Sequence, residues 1–117
     1  MTGVSSSDSG IRVSAIIPTR NRASRLPGAV RTALNQTVRD LEVVVVDDAS
    51  DDDTPAILDA LEQGEPRVRA VRIERRAGAA HARNVGASHA KGAVLAFLDD
   101  DCAWHPDKVR LQLEAMS

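Results

Sequence analysis

The chain has 117 residues, of which 43% are hydrophobic, 27% charged and 2% aromatic. That length holds one domain, and the hydrophobic share is enough for a packed core, so disorder throughout is excluded. Fifteen Lys and Arg against seventeen Asp and Glu give a net charge of −2, which offers no electrostatic support for nucleic-acid binding. With no Tyr, one Phe and one Trp, a base-stacking platform is also missing.

Residues 1–11 are rich in Ser, Gly and Asp at their start and read as a disordered leader, leaving a domain over 12–117. The leader lacks the basic start and apolar stretch of a signal peptide. Val13 to Pro18 reads as a first strand, closed by a proline that removes a ladder donor. Ser24 is placed to cap a helix with Leu26, Ala29, Val30, Ala33 and Leu34 on one face. Leu41 to Val46, with four consecutive valines, has the composition of a strand buried on both faces. Thr54 followed by Pro55 predicts a capped helix with Ile57, Leu58 and Leu61 inward and Gly64 at its stop. Val68 to Ile73 is a third strand, and Ala79 to Ala90 an alanine-dense helix ended by Gly92. Val94 to Leu98 is a fourth strand, and Pro106 opens a last helix with Val109, Leu113 and Met116 on one face. The longest apolar run, Ala93 to Leu98, is far too short to span a bilayer. Strands alternating with helices predict an α/β fold, a Rossmann-like parallel sheet of about four strands with helices on both faces.

In such sheets ligands bind beyond the carboxyl ends of the strands. Three polar loops leave strand ends here: Thr19-Arg20-Asn21, Asp47 to Thr54, and Asp99-Asp100-Asp101. Eight of the twelve aspartates lie in the last two. Three carboxylates in a row are costly in a cleft unless a divalent cation offsets their repulsion, and Mg²⁺ or Mn²⁺ takes carboxylates together with phosphate oxygens. The alternative is a hydrated loop that caps the next helix. A calcium loop counted from Asp47 fails, since its sixth position is Asp52 and its twelfth Leu58. Asp51 to Asp53 read as a solvated loop, whereas Asp47 and Asp48, nearer the strand end, are the better ligand candidates. Arg75-Arg76 and Gly78 precede the alanine-dense helix, where arginines and a helix N-terminus attract phosphate. His81, His89 and His105 have no metal-binding spacing and read as structural. Cys102 cannot form an internal disulfide, which fits a reducing compartment, and its acidic neighbours disfavour a thiolate nucleophile.

Together these stretches resemble the family 2 glycosyltransferases of GT-A fold. The matching segments are Val13 to Asn21, Val44 to Thr54, Ala80-His81-Ala82-Arg83-Asn84-Val85-Gly86, and Gly92 to Asp101. The resemblance implies strand order 3-2-1-4 and a donor site for a nucleotide-diphosphate sugar, a UDP-sugar above all. It implies that Pro18 and Thr19 line the base and ribose, that Arg20 belongs to the donor site, that Asp48 bonds the base, and that Arg83 stands near the donor pocket. Asp99, Asp100 and Asp101 are similar to the DxD motif, with Asp99 toward the ribose and Asp101, joined by Asp99, on Mn²⁺ or Mg²⁺. Family members continue past this point to supply the acceptor site and a general base, so this chain is expected to be the donor-binding half, with no catalytic base assigned. Two other classes fit less of the pattern. A non-catalytic nucleotide-binding module would use the same pocket without transfer. A receiver-type signalling domain would need its acidic pair after the first strand and a lysine after a later one; here the pair follows the second strand. The expected location is cytoplasmic, peripheral at the inner membrane face, and strand 94–98 is expected to offer a free edge for self-association.

Overall fold

A computed structural model describes residues 10–100 and 103–116; Asp101 and Cys102 lie outside it, as does most of the leader. In chain order the elements are β1 (Val13–Thr19), α1 (Leu26–Leu34), β2 (Leu41–Asp48), α2 (Thr54–Gly64), β3 (Val68–Ile73), α3 (Ala79–His89), β4 (Val94–Phe97) and α4 (Lys108–Met116). All pairings are parallel, and the order is β3-β2-β1-β4, as the resemblance implied. The α/β sheet with helices on both faces is the fold expected from the alternating pattern.

Successive strand side chains point to opposite faces, and the buried residues divide accordingly. Val13, Ala15 and Ile17 of β1 join Val43 and Val45 of β2 in a large core with α1, Leu58 of α2 and Val109 of α4. Ile16, Val44 and Val46 face the other way into a small core whose helix contributes Ala82 and part-buried Val85. The valine run of β2 is therefore buried on both sides. Gly86 explains how α3 lies so close: a Cβ there would come within 2.5 Å of Ile16 Cγ2 and 3.0 Å of Val46 Cγ2. Behind α3, buried Glu42 accepts bonds from Ser14 Oγ and the Lys91 amide, both at 2.6 Å, closing the turn into β4.

Several predicted helix signals act differently. Ser24 lies in a turn, and α1 begins at Leu26 with no side-chain cap. Thr54 is the first helical residue of α2, and its amide donates to Asp52 Oδ1 at 2.8 Å. Helix α3 ends at His89, with Ala90 extended. Gly92 instead lets the chain pass against β1, where a Cβ would lie 2.7 Å from the Val13 carbonyl carbon. Pro106 sits in a turn, and α4 starts at Lys108. On α4, Val109 is buried and Leu113 packs on the core, while Met116 is exposed.

Candidate donor site

The strand ends converge on a cavity of about 460 Å³ at the carboxyl edge of the sheet. Its walls include Pro18, Thr19 and Arg20 from the end of β1, Asp48 from β2, Arg83 from α3, and Asp99 and Asp100 from beyond β4. Every donor-site residue expected from sequence and described by the structure is therefore brought together. Arg22, Arg76, Gly78, Ala79 and Ala82 complete the lining. The sequence pointed to Arg76 through its place before a helix N-terminus. It missed Arg22, whose only sequence signal is the Arg20-Asn21-Arg22 alternation just past a strand end.

Local conformation aims these groups. Asn21 and Ala49, the turning residues after β1 and β2, both adopt positive φ (54° and 56°). The two turns are laced together, because Ser50 Oγ accepts the Asn21 amide and Asn21 Oδ1 accepts the Asp51 amide, each at 2.9 Å. Strained backbone of this kind persists where surrounding bonds over-determine it.

The carboxylates have distinct partners. Thr19 Oγ1 donates to Asp100 Oδ2 at 2.8 Å, and Arg22 Nε lies 3.8 Å from Asp100 Oδ1. Arg83 stands 3.8 Å from Asp99, a pair largely open to water and so weakly bound. Asp48 is buried, and its two oxygens accept the amides of Ala77 and Gly78, both at 2.8 Å. Asp47 proves to be no ligand candidate. It points to the opposite side of β2, where Oδ2 pairs with Arg72 at 2.7 Å and Oδ1 accepts the Ser50 amide at 3.0 Å.

Four arginines and three aspartates line the cavity, so it suits a ligand with anionic and hydrogen-bonding parts. Arg20 Nε is buried with no hydrogen-bond partner among the described residues, a donor left open beside the cavity. The first turn of α3, uncapped by any side chain, also faces it. Among the described residues no group of three or more His, Cys, Asp or Glu is arranged to hold a metal ion, and Asp101 falls outside them. The hard oxygen donors of exposed Asp99 and half-buried Asp100 at the cavity edge are of the type that Mg²⁺ and Mn²⁺ accept. No helix of the described residues is long and apolar enough to cross a membrane.

The description of glycosyl transferase family 2 matches residues 14–117. The chain is 39% identical over 104 residues to the putative teichuronic acid biosynthesis glycosyltransferase TuaG of Bacillus subtilis, covering 89% of this chain and 41% of that protein. It is 35% identical to the UDP-Glc:alpha-D-GlcNAc-diphosphoundecaprenol beta-1,3-glucosyltransferase WfgD of Escherichia coli, over 89% of this chain and 40% of the relative. Among solved structures, the mannosyltransferase PcManGT from Pyrobaculum calidifontis, in complex with GDP-Man and Mn²⁺, superposes with a TM-score of 0.84 at 32% identity, over 91% of this chain and 32% of that one. TarS 1–349 of S. aureus in complex with UDP matches with a TM-score of 0.79 at 25% identity, over 89% and 31%. The chain thus spans less than half the length of these relatives. With the family match running from β1 to the last residue, and the same sheet found in glycosyltransferases of GT-A fold, this chain belongs to glycosyl transferase family 2.

Proposed function

We propose that the cavity at the sheet edge binds a nucleoside-diphosphate sugar and serves as the donor site of a glycosyltransferase. The observation that carries this reading is the convergence of Thr19, Asp48, Arg83, Asp99 and Asp100, from four separate segments, on one cavity. The neighbour bound to GDP-Man and Mn²⁺ and the one bound to UDP support it. A UDP-sugar remains our first expectation for the donor.

The roles follow from chemistry and position. Asp48, acceptor-only when ionised, takes a hydrogen bond from an N–H of the base, while Pro18, Thr19 and Arg20 flank base and ribose. Arg22, Arg76 and Arg83 supply positive charge to the diphosphate. Asp99, with Asp101, is assigned to Mn²⁺ or Mg²⁺, and Asp100 is held toward the cavity by Thr19. When bound, the cation would neutralise charge on the departing nucleoside diphosphate. The arginines add to that stabilisation as the bond to the sugar C1 breaks. An acceptor hydroxyl would then attack C1 and lose its proton to a base, a part we assign to no residue of this chain.

Calorimetry with UDP and with GDP, each with and without Mn²⁺, tests the reading. Binding should tighten with metal, and Asp101→Ala should remove most of that gain. Asp52→Ala should change little, since Asp52 is exposed and outside the cavity lining. Equal affinity with and without Mn²⁺ for a folded protein would count against the metal-bridged site.

A further inference from the structure

Asp48 leaves the carboxyl end of β2 and reaches the segment that enters α3. Its Oδ1 accepts the Ala77 amide and its Oδ2 the Gly78 amide, both at 2.8 Å, and the residue is only 4% exposed. Hydrogen bonds to a carboxylate are stronger than neutral ones, most of all away from water. The segment they hold has little else to fix it. Arg75, Arg76 and Ala77 are exposed and belong to neither core cluster. No other hydrogen bond reaches residues 75–77 among the described residues. Gly78 adopts φ 94°, a conformation that local backbone preference does not impose. The Ala82 amide donates to the Gly78 carbonyl at 3.0 Å and ties Gly78 to α3, while the course of residues 75–77 ahead of it is held by the two bonds to Asp48. From this segment Arg76 lines the cavity.

We propose that Asp48 is a positioning residue: its carboxylate clamps the Ala77 and Gly78 amides, and Arg76 reaches bound diphosphate only while that clamp is closed. The second half rests on the reading of the cavity as a nucleotide site. A carboxylate offers about four lone-pair sites, and the clamp uses two, so a base N–H can share the same group. Asn at this position keeps the volume but turns one acceptor into an NH₂ facing an amide N–H. One clamp bond is then lost and replaced by a repulsive contact.

Two measurements on Asp48→Asn decide the matter. Amide hydrogen exchange without nucleotide should accelerate by about tenfold or more at Ala77 and Gly78, and not in β1. Asp48→Ala should do at least as much; if it fails to fold, the near-isosteric Asn variant still carries the test. Calorimetry with UDP and Mn²⁺ on Asp48→Asn, Arg76→Ala and the double variant should give non-additive losses, the Asn effect shrinking when Arg76 is absent. A contact to the base alone would give additive losses and overturn the link to Arg76. Unchanged exchange at Ala77 and Gly78 in a folded Asn variant would overturn the clamp itself. Failure of the wild type to bind UDP or GDP would overturn the nucleotide reading and the Arg76 half with it, while exchange would still decide the clamp.

Discussion

Asp47 and Asp48 are adjacent and have opposite fates, because a strand sends neighbouring side chains to opposite faces. Asp47 meets Arg72, its register partner on β3, and ties the turn at Ser50. Asp48 faces the cavity. Pattern reading found both residues and could not say which one faces the site, since the parity of β2 is hidden by its unbroken valines. Asp52, read as a solvated loop residue, is exposed but bonded to the amide that opens α2. Thr54 holds the Asp52 carboxyl below the ordinary value of 3.8. The Thr37 hydroxyl, and then Arg110, do the same for Asp107. Folded-state values below unfolded ones mean that both groups favour the fold above the unfolded pKa. That contribution fades as pH falls through the lowered values. Melting temperature followed on the acid side should therefore drop below the carboxylate range, and the drop should be shallower in Asp52→Asn/Asp107→Asn. An equally steep drop in that variant would show that these two carboxylates do not carry the acid sensitivity.

Element by element, the strands were legible and the helix starts less so. Short segments rich in apolar and β-branched residues between turn signals mark the strands, β3 even with Arg69 and Arg72 inside it, and all four lie within two residues of expectation. Ser24, Thr54 and Pro106 carry good start signals but stand one or two residues outside or inside the true starts. At α4 a distant segment pins the entry, where the Thr37 amide and Gln36 Nε2 donate to the carbonyls of Pro106 and His105; at α1 and α2 the starts are set locally, by the Arg22 carbonyl and the Asp52 carboxylate. Gly92, read as the stop of the alanine-dense helix, does not end it; like Gly86 it is a point of close approach to β1. Gly86→Ala presses a methyl against Ile16 and Val46, whose side chains can yield only partly. We expect a loss of about 1–3 kcal/mol in chemical denaturation, with weaker UDP binding because α3 carries Arg83. A change within about 0.5 kcal/mol, the usual range for surface substitutions, would show that α3 moves away freely.

Across the whole molecule, β4 lies at the margin of the sheet and pairs only with β1 among the described residues. On the face that α3 covers over β1 and β2, Leu95 and Phe97 are 39% and 48% exposed. Neither charge nor proline interrupts Val94 to Phe97, and unblunted edges of this kind invite pairing with another chain. The 117-residue chain alone should accordingly self-associate with rising concentration, seen as growing mass in sedimentation. Replacing Phe97 with Lys should suppress that growth; a monomer independent of dilution would rule the edge out as a contact.

The division of the core into unequal halves has a consequence for robustness. The scaffold of the sheet rests mainly on the large apolar layer beneath α1, α2 and α4, whereas α3 is fastened by a thin layer around Ala82 and Gly86. The wall of the cavity that carries Arg76 and Arg83 therefore belongs to the thinner half. A substitution that loosens α3 would disturb that wall while the large layer still holds, leaving a chain that looks folded to circular dichroism but has stopped holding its ligand. In this molecule, retention of secondary structure is a poor guide to retention of the site.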